Sequence, residues 1–279
     1  MSARFNTILI PVDFTLNTEV AIAKAIGLVE GTNATIHLLH VHNPGLIGRL
    51  MQDLAGGPQG SRKLIEQKLA HLSLRINSAR PGLRVSSWIE DGMPVEEAVT
   101  GKASSLSADL VVIGKHSSSL IFPAGRKVIS AHVASATGIP VLTVKPGSLK
   151  NPIRTVVIPV GPKFPRKKLE LLDAWKSKPG FAIRLVSCLS HDKNDACSKD
   201  SLLNTFRLLK TTWPGPVEYD VVRGNNQARA LLKYCNKVNA DMLIVYPGVE
   251  TDTGFFPARH IADLLPPDSR TQILAIQPA

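Results

Sequence analysis

An internal repeat constrains the fold of this chain more than any other feature of its sequence. The block ILIPVD at residues 8–13 returns as VVIPVG at residues 156–161, at an offset of 148 positions. The block ADLVVIG at residues 108–114 returns as ADMLIVY at residues 240–246, at an offset of 132 positions. Three further blocks recur in the same order. The sequence therefore predicts two domains of the same fold.

The boundary between the two copies falls in a turn-rich segment, PGSLKNP at residues 146–152. Between the second and third repeated blocks the offset drops from 147 to 132 positions. The second copy therefore has a shorter connection where the first copy has the Gly-rich stretch 43–60. We expect domains at residues 1–148 and 152–279.

Within each copy, short apolar runs alternate with helical patterns. Residues 7–12 form a continuous apolar run, which is typical of a strand that is buried on both faces. Asn17 and Thr18 are expected to cap the helix that follows, and Ile22 and Ile26 belong to its apolar face. Strands that alternate with helices predict an α/β fold with a parallel, doubly wound sheet in each domain.

Composition disfavours several classes of protein. Lys and Arg total 33 against 22 Asp and Glu, and the resulting charge of +11 favours the approach of acidic partners. Aromatic residues are 5% of the chain, too few for stacking on nucleic acid, so a nucleic-acid partner is not expected. No apolar run approaches the ~20 residues that span a bilayer, and no secretory signal is expected. The three cysteines lack a close pair, which favours a cytoplasmic protein.

The repeated blocks together resemble the universal stress protein family. They match its first strand with the acidic residue that follows, the end of its second strand, its core signature and its closing strand. The segments that carry the resemblance are ILIPVDFT at 8–15, LHV at 39–41, Gly92 with Pro94, ADLVVIG at 108–114 and IPVLTV at 139–144. The match covers nearly the whole first half and, more faintly, the second half, as in tandem members of the family.

The resemblance implies a fold for the whole chain. Each domain is expected to have a parallel five-stranded sheet in strand order 3-2-1-4-5, and the two domains are expected to pack as a pseudo-dimer. The fifth strands, expected at residues 140–144 and 272–276, would pair antiparallel and cover two sheet edges that otherwise invite aggregation. The family also implies that two such chains associate further, as a homodimer.

Nucleotide-binding members of the family carry the motif Gly-x2-Gly-x9-Gly-Ser/Thr after the fourth strand. Glycines allow the backbone to approach phosphates, and the following helix offers free N–H groups. In this chain Gly114 is kept, but Ser117 and Lys127 stand at the second and third glycine positions. A shift of two residues would let Gly125 serve as the third glycine, and the spacing alone does not decide between the two alignments. Serine hydroxyls and basic side chains in the same loop still offer donors to phosphate.

The resemblance thus implies a site for ATP or AMP in the first domain. Its candidate residues are Pro11, Asp13, Val41, Gly114, Lys115, His116, Ser117, Arg126, Lys127 and Val128. In the family the residue at Asp13 helps to hold the adenine or ribose end, and the residue at Val41 offers backbone contacts to the base. The alternative is that Asp13 caps the turn into the first helix.

The second domain is expected to have a degenerate site. Gly161 and Tyr246 stand where the first half has Asp13 and Gly114, and the loop 247–254 is acidic. Such a loop would repel phosphate, and Tyr246 would crowd the crevice. The basic cluster RKK at residues 166–168 is interpreted as a solvent-exposed face.

Catalytic and metal sites are not predicted. His40 and His42 lie two apart in a strand and face the same way, but no cluster of Cys or Glu completes a zinc site. The Walker loop and the Gly-x-Ser-x-Gly motif are absent from the sequence. The chain is therefore not expected to be an enzyme, and a weak ATPase activity stays open as an alternative.

Three functions remain open. The first is a non-enzymatic stress-response or regulatory protein with a degenerate nucleotide motif, which acts on an unidentified regulatory protein. The second is an ATP- or AMP-binding sensor, or a weak ATPase, that works through the first domain. The third is a carrier or scaffold for an apolar or acidic ligand, which the connection 43–60 would serve.

Overall fold

The computed structural model describes residues 5–29, 34–42, 57–115, 130–176, 179–189, 196–250 and 260–278. The strands in this part of the chain are β1 (Thr7–Pro11), β2 (Thr35–His42), β3 (Arg84–Asp91), β4 (Leu110–Gly114), β5 (Val141–Val144), β6 (Thr155–Pro159), β7 (Ala182–Leu189), β8 (Val217–Arg223), β9 (Met242–Val245) and β10 (Gln272–Ala275). The α-helices are α1 (Leu16–Leu28), α2 (Gly57–Ala79), α3 (Val95–Ser105), α4 (Ser130–Thr137), α5 (Arg166–Leu172), α6 (Ala196–Thr212) and α7 (Gln227–Lys237). Single turns of 3₁₀-helix lie at Pro146–Ser148, Asp173–Trp175 and Ile261–Asp263.

The strands form one ten-stranded sheet in the order β3-β2-β1-β4-β5-β10-β9-β6-β7-β8. Neighbouring strands are parallel within each half, and β5 pairs antiparallel with β10, so that Thr143 lies opposite Ile273. Both halves thus have the strand order 3-2-1-4-5, and their fifth strands meet as the resemblance implies. The α/β fold prediction is confirmed, and the domain limits 1–148 and 152–279 stay a prediction. We call the β5–β10 junction the seam.

Helices cover both faces of the sheet. Helices α1, α2, α5 and α6 pack on one face, and α3, α4 and α7 pack on the other. Each of the two core layers contains buried residues from both halves. On the first face, the ring of Phe5 meets the ring of Trp175 edge to face across the seam, with 5.8 Å between centroids. The hydrophobic core is therefore continuous across the seam.

The Ala-Asp pair that opens both copies of the ADLVVIG block has a structural role. Asp109 Oδ2 accepts hydrogen bonds from the N–H groups of Asn6 and Thr7, at 3.0 and 2.9 Å. Asp241 Oδ2 accepts two equivalent bonds from the N–H groups at the start of β6, also at 3.0 and 2.9 Å. Each carboxylate ties the first strand of its half to the start of the fourth. The repeat in this block therefore reflects the assembly of the sheet.

Helix α1 begins earlier than the sequence predicts. Its N-cap is Thr15, whose hydroxyl accepts a hydrogen bond from the N–H of Asn17 at 3.2 Å. The prediction of Asn17 and Thr18 as caps was wrong, because the side chain of Thr18 lies inside the helix and donates to Asp13 instead. Residues 43–56 of the Gly-rich stretch lie outside the described residues.

Two further features bear on the class of protein. None of the described helices is both long enough and apolar enough to cross a membrane. Cys188, Cys197 and Cys235 are all free thiols.

Gly147, between the two halves, approaches the second half too closely to carry a side chain. Its N–H donates to the carbonyl of Pro267 at 2.9 Å, and a Cβ atom would lie 2.0 Å from the carbonyl oxygen of Asp268. We expect Gly147→Ala to lower the free energy of unfolding by ~1–3 kcal/mol, measured by urea denaturation, because the backbone must move. The matched control is Gly101→Ala in α3, where a Cβ meets no atom within 4 Å. It should stabilise the protein by ~0.5–1 kcal/mol, and similar losses in both variants would contradict the steric explanation.

Candidate functional site

The structure brings the described candidate residues to one edge of the sheet. Pro11 ends β1, Asp13 follows it, Val41 lies near the end of β2, and Gly114 ends β4 just before Lys115. These are carboxyl ends of parallel strands, and β1 and β4 flank the point where the strand order reverses. Open α/β sheets bind ligands at such a point. The other candidates lie outside the described residues: His116, Ser117, Arg126, Lys127 and Val128.

The carboxylate of Asp13 is hydrogen-bonded to the start of α1. Its Oδ1 accepts from the N–H and hydroxyl of Thr15, at 3.0 and 2.7 Å, and from the hydroxyl of Thr18 at 2.8 Å. Its Oδ2 accepts from the side-chain amide of Asn17 at 3.2 Å. Although burial acts in the opposite direction, these hydrogen bonds together hold the pKa of Asp13 below its ordinary value. The geometry is that of a capping side chain, the alternative left open by the sequence.

The turn after Asp13 is conformationally unusual. Phe14 has a φ angle of 57°, in the left-handed region that bulky residues rarely adopt. Its ring packs 4.7 Å from the ring of His40, measured between centroids, and lies 5.3 Å from Lys68 Nζ. The bonds of Asp13 on one side and the ring contact on the other hold this turn in place.

Gly114 lies against the backbone of α1. A Cβ atom at this position would lie 2.0 Å from the carbonyl oxygen of Asn17. The glycine that the family motif provides for the approach of phosphate therefore serves here for the approach of the first helix. Its presence in the sequence does not by itself indicate a phosphate site.

Lys115 forms an ion pair with Asp263 of the second half. Both side chains are mostly buried, with 14% and 21% of their surface exposed. Asp263 also accepts a hydrogen bond from the N–H of His260 at 3.2 Å, within the capping box of the 3₁₀ turn Ile261–Asp263. Lys115, predicted to face phosphate, thus has an internal partner across the seam.

The end of β2 offers both backbone and imidazole groups. The carbonyl of His42 accepts a hydrogen bond from the N–H of Gly92, on the β3 side of the strand. Because successive residues of a strand alternate in direction, the backbone groups of Val41 point to the opposite side, beyond the end of β1. His40 Nδ1 donates to the carbonyl of Val12 at 2.8 Å, and burial lowers the pKa of His40, which keeps its ring neutral near pH 7. The His40 and His42 rings lie 6.4 Å apart. No group of three or more metal-ligating side chains lies together within the described ranges.

In the second half, the equivalent edge holds a buried ion pair. Lys168 Nζ lies 2.5 and 2.7 Å from the two carboxylate oxygens of Glu250 and donates to the carbonyl of Pro159 at 2.9 Å. Glu250 also accepts from the N–H of Tyr246 at 2.8 Å, and Lys168 Nζ lies 4.2 Å from the centre of the Tyr246 ring. Burial lowers the pKa of Lys168 and raises that of Glu250. A carboxylate of the chain itself thus occupies the anion-attracting position.

Lys168 corrects the interpretation of residues 166–168 as an exposed face. Its side chain is fully buried, because it lies one helical turn before the buried Leu172 on the inner face of α5. That i, i+4 spacing was the available signal. Sequence reasoning also missed Glu250 and Asp263, because both pair with residues far away in the chain.

Comparison with known proteins agrees with the topology. The family model described as the universal stress protein family matches residues 4–145, just over half of the chain. The chain belongs to the universal stress protein family. No curated protein matches its sequence.

Solved structures of universal stress proteins share the fold over both halves. One from Archaeoglobus fulgidus DSM 4304 is 16% identical, with 98% of each chain covered and a TM-score of 0.72. A putative universal stress protein from Pseudomonas aeruginosa UCBPP-PA14 is 13% identical, with 98% of this chain and 94% of that chain covered and a TM-score of 0.56. At these identities the likeness shows the fold alone.

In this universal stress protein, Asp13→Asn should lower stability at neutral pH by about 1 kcal/mol, because hydrogen bonds to a charged carboxylate contribute more than those to a neutral amide. Because the folded-state pKa of Asp13 lies below its ordinary value of 3.8, the ionised carboxylate contributes stability above that pH. The contribution is lost as the pH falls through the folded-state pKa. Urea unfolding at several pH values should show a difference from the unmodified protein that shrinks below pH 3.8. Asp200→Asn, at an exposed position of α6, is the control, and an equal effect there would contradict the capping role.

Glu250→Gln should destabilise the protein by ~3–5 kcal/mol, because it leaves the buried ammonium of Lys168 without a counter-charge. The double replacement Lys168→Met with Glu250→Leu should regain most of that loss, since no buried charge remains. The control is Glu218→Gln, whose partner Arg184 lies at a more exposed position. That change should cost about 0–1 kcal/mol in thermal or urea unfolding. A small effect of Glu250→Gln would show that the pair is not essential to the second half.

Proposed function

We propose that this chain is a non-enzymatic stress-response or regulatory protein of the universal stress type, with a degenerate nucleotide motif. One observation carries the proposal: three of the described groups expected to meet a nucleotide, Asp13, Gly114 and Lys115, are engaged within the protein. Asp13 caps the turn that leads into α1, Gly114 packs against the backbone of α1, and Lys115 pairs with Asp263. These contacts give each group a structural role without a ligand.

The phosphate end of ATP or AMP fits this arrangement poorly. Close approach of phosphate to Gly114 would require the backbone of Asn17 to move, since it already fills the space beside the glycine. We therefore assign no reaction step to a bound nucleotide.

The second half supports the same conclusion. Its ion pair between Lys168 and Glu250 neutralises the charge that would attract a phosphate, and Tyr246 packs over it. With both crevices engaged internally, the proposed protein acts through contacts of its surface with a regulatory protein. The three free thiols support the location of the protein in a reducing compartment such as the cytoplasm. A homodimer stays a prediction from the family resemblance.

A second candidate is an ATP- or AMP-binding sensor that works through the first half. It is favoured by the position of Asp13 and Val41 at the switch point of the sheet, where the backbone of Val41 points beyond the end of β1. This end would suit a base or ribose rather than phosphates. The carrier hypothesis depends on the stretch 43–60, most of which lies outside the described residues, and no described contact favours it.

The test is nucleotide binding by the purified full chain. ATP and AMP are titrated by calorimetry, ATP hydrolysis is assayed, and the protein as purified is examined by mass spectrometry for bound nucleotide. We expect no saturable binding of ATP or AMP up to ~1 mM and no hydrolysis of ATP. A dissociation constant of ~1 mM corresponds to a binding free energy of only about −4.1 kcal/mol. Tight binding of one nucleotide per chain would overturn the proposal in favour of the sensor. In that case Asp13→Ala should weaken discrimination between adenine and other bases, and Asp200→Ala should not.

A further inference from the structure

Lys145, at the seam, carries a buried ammonium group for which the described residues provide no partner. The residue directly follows β5 and is fully buried, and its Nζ makes no hydrogen bond in the described part of the chain. Two other buried lysines are satisfied: Lys168 pairs with Glu250, and Lys24 Nζ donates to the carbonyl of Asn151 at 2.5 Å. A buried ammonium ion is strongly unfavourable unless a counter-charge or an acceptor lies against it. Among the described residues, the seam therefore lacks an acceptor at this point.

The charges around Lys145 leave an excess of positive charge. Within the described ranges, the charged groups that act on it are Lys115 and Asp263. Burial lowers the pKa of Lys145 to about 8; Lys115 acts in the same direction, and Asp263 opposes it. Near pH 7 most of the Lys145 amines are still protonated. Two ammonium groups thus share one carboxylate, and the excess is one positive charge.

His260 adds an unpaired donor beside the same charges. Its Nδ1 accepts a hydrogen bond from the N–H of Ala262 at 3.5 Å, which places the ring proton on Nε2. Nε2 is buried and has no partner in the described part of the chain. Burial lowers the pKa of His260 to about 4, with charge effects from Asp263 and Lys115, so the ring is neutral at pH 7. The groups left without partners at Lys145 and His260 are therefore both donors.

We propose that the seam contains a binding site for a small oxyanion of the phosphate class. Lys145 and Lys115 supply the positive charge, and the Nε2–H of His260 is a neutral donor. Asp263 is the internal carboxylate that pairs with Lys115 when no oxyanion is bound. A set of donors with one excess positive charge suits a ligand that only accepts hydrogen bonds and carries negative charge. A cation or a neutral sugar would leave the ammonium uncompensated.

Access to the site is from the side of Lys115 and Asp263, whose side chains keep 14% and 21% of their surface exposed. The incoming oxyanion takes the place of the Asp263 carboxylate at Lys115 and provides the acceptor that Lys145 lacks. This site goes beyond the proposed function, because it requires neither a nucleotide base nor Asp13. Its occupancy would bear directly on the packing of the two halves, since the Lys115–Asp263 pair crosses the seam.

The test is titration of the full chain with inorganic phosphate at constant ionic strength, followed by calorimetry and by thermal unfolding. We expect one saturable site per chain and a rise in Tm with phosphate concentration. Lys145→Met should weaken phosphate binding about tenfold or more, as expected for the loss of one charge-assisted hydrogen bond. Lys24→Met is the matched control, because it removes a buried lysine that already has an acceptor. It should leave the affinity for phosphate unchanged.

A second variant tests the site without changing Lys145. Asp263→Asn removes the competing carboxylate and should strengthen phosphate binding several-fold. Glycerol 3-phosphate, titrated in parallel, distinguishes free phosphate from a phosphate ester as the preferred form. Equal affinities of Lys145→Met and Lys24→Met, or no saturable phosphate binding by either the unmodified chain or Asp263→Asn, would overturn the inference. ATP and AMP are also titrated into Lys145→Met: nucleotide binding that this variant keeps belongs to the crevice of the first half, and binding that it loses belongs to the seam, so the failure of each proposal is recognised separately.

Discussion

The antiparallel pair of β5 and β10 is the contact on which the rest of the structure depends. Both strands are mostly apolar and buried throughout, and such strands left at the outer edge of a sheet would invite pairing with other chains. Their pairing turns two half-sheets into one, and it makes the core continuous on both faces. The contact of Phe5 with Trp175 and the close approach of Gly147 to the second half both follow from this register.

The seam also accounts for the chemistry of the first half. Lys115 follows β4, the strand beside β5, and the seam brings the 3₁₀ turn with Asp263 to it. A lysine that would otherwise face the crevice thereby acquires a carboxylate from the other half. Lys145 lies at the end of β5 itself, where the continuous core shields it from water. The seam thus compensates the ammonium group of Lys115, and the part of the chain that the structure describes gives Lys145 no partner.

The two halves show how one topology supports different interiors. At the edge between the first and fourth strands, the first half has an exposed capping carboxylate, Asp13, and a glycine closed by its own helix. At the same edge the second half has a buried lysine, a buried glutamate and a tyrosine over the pair. The strand order is identical, and among the described residues the two edges differ in the side chains at the strand ends. Fold alone therefore does not fix what either crevice binds.

The sequence by itself determined the element pattern. Continuous apolar runs identified the buried strands, and the ordered repeat identified two copies of one fold, since each copy must bury the same faces. The family resemblance then supplied the strand order and the antiparallel seam. The strands and the two copies could be predicted because they depend on the spacing and the order of residues along the chain, and both are visible in the sequence.

Only the tertiary structure decided which polar groups meet. In the sequence, Asp13 is equally compatible with a contact to a ligand and with a capping role. The structure shows the hydroxyls of Thr15 and Thr18 hydrogen-bonded to its carboxylate, which favours the capping role. The charge run at residues 166–168 predicts an exposed Lys168, and the sequence gives no sign of its buried partner Glu250, which lies 82 positions away in the chain. The partner of Lys115 is more distant still, on the opposite side of the seam. Two charges form an ion pair when they lie a few ångströms apart in space, and the number of residues between them in the sequence does not determine that distance.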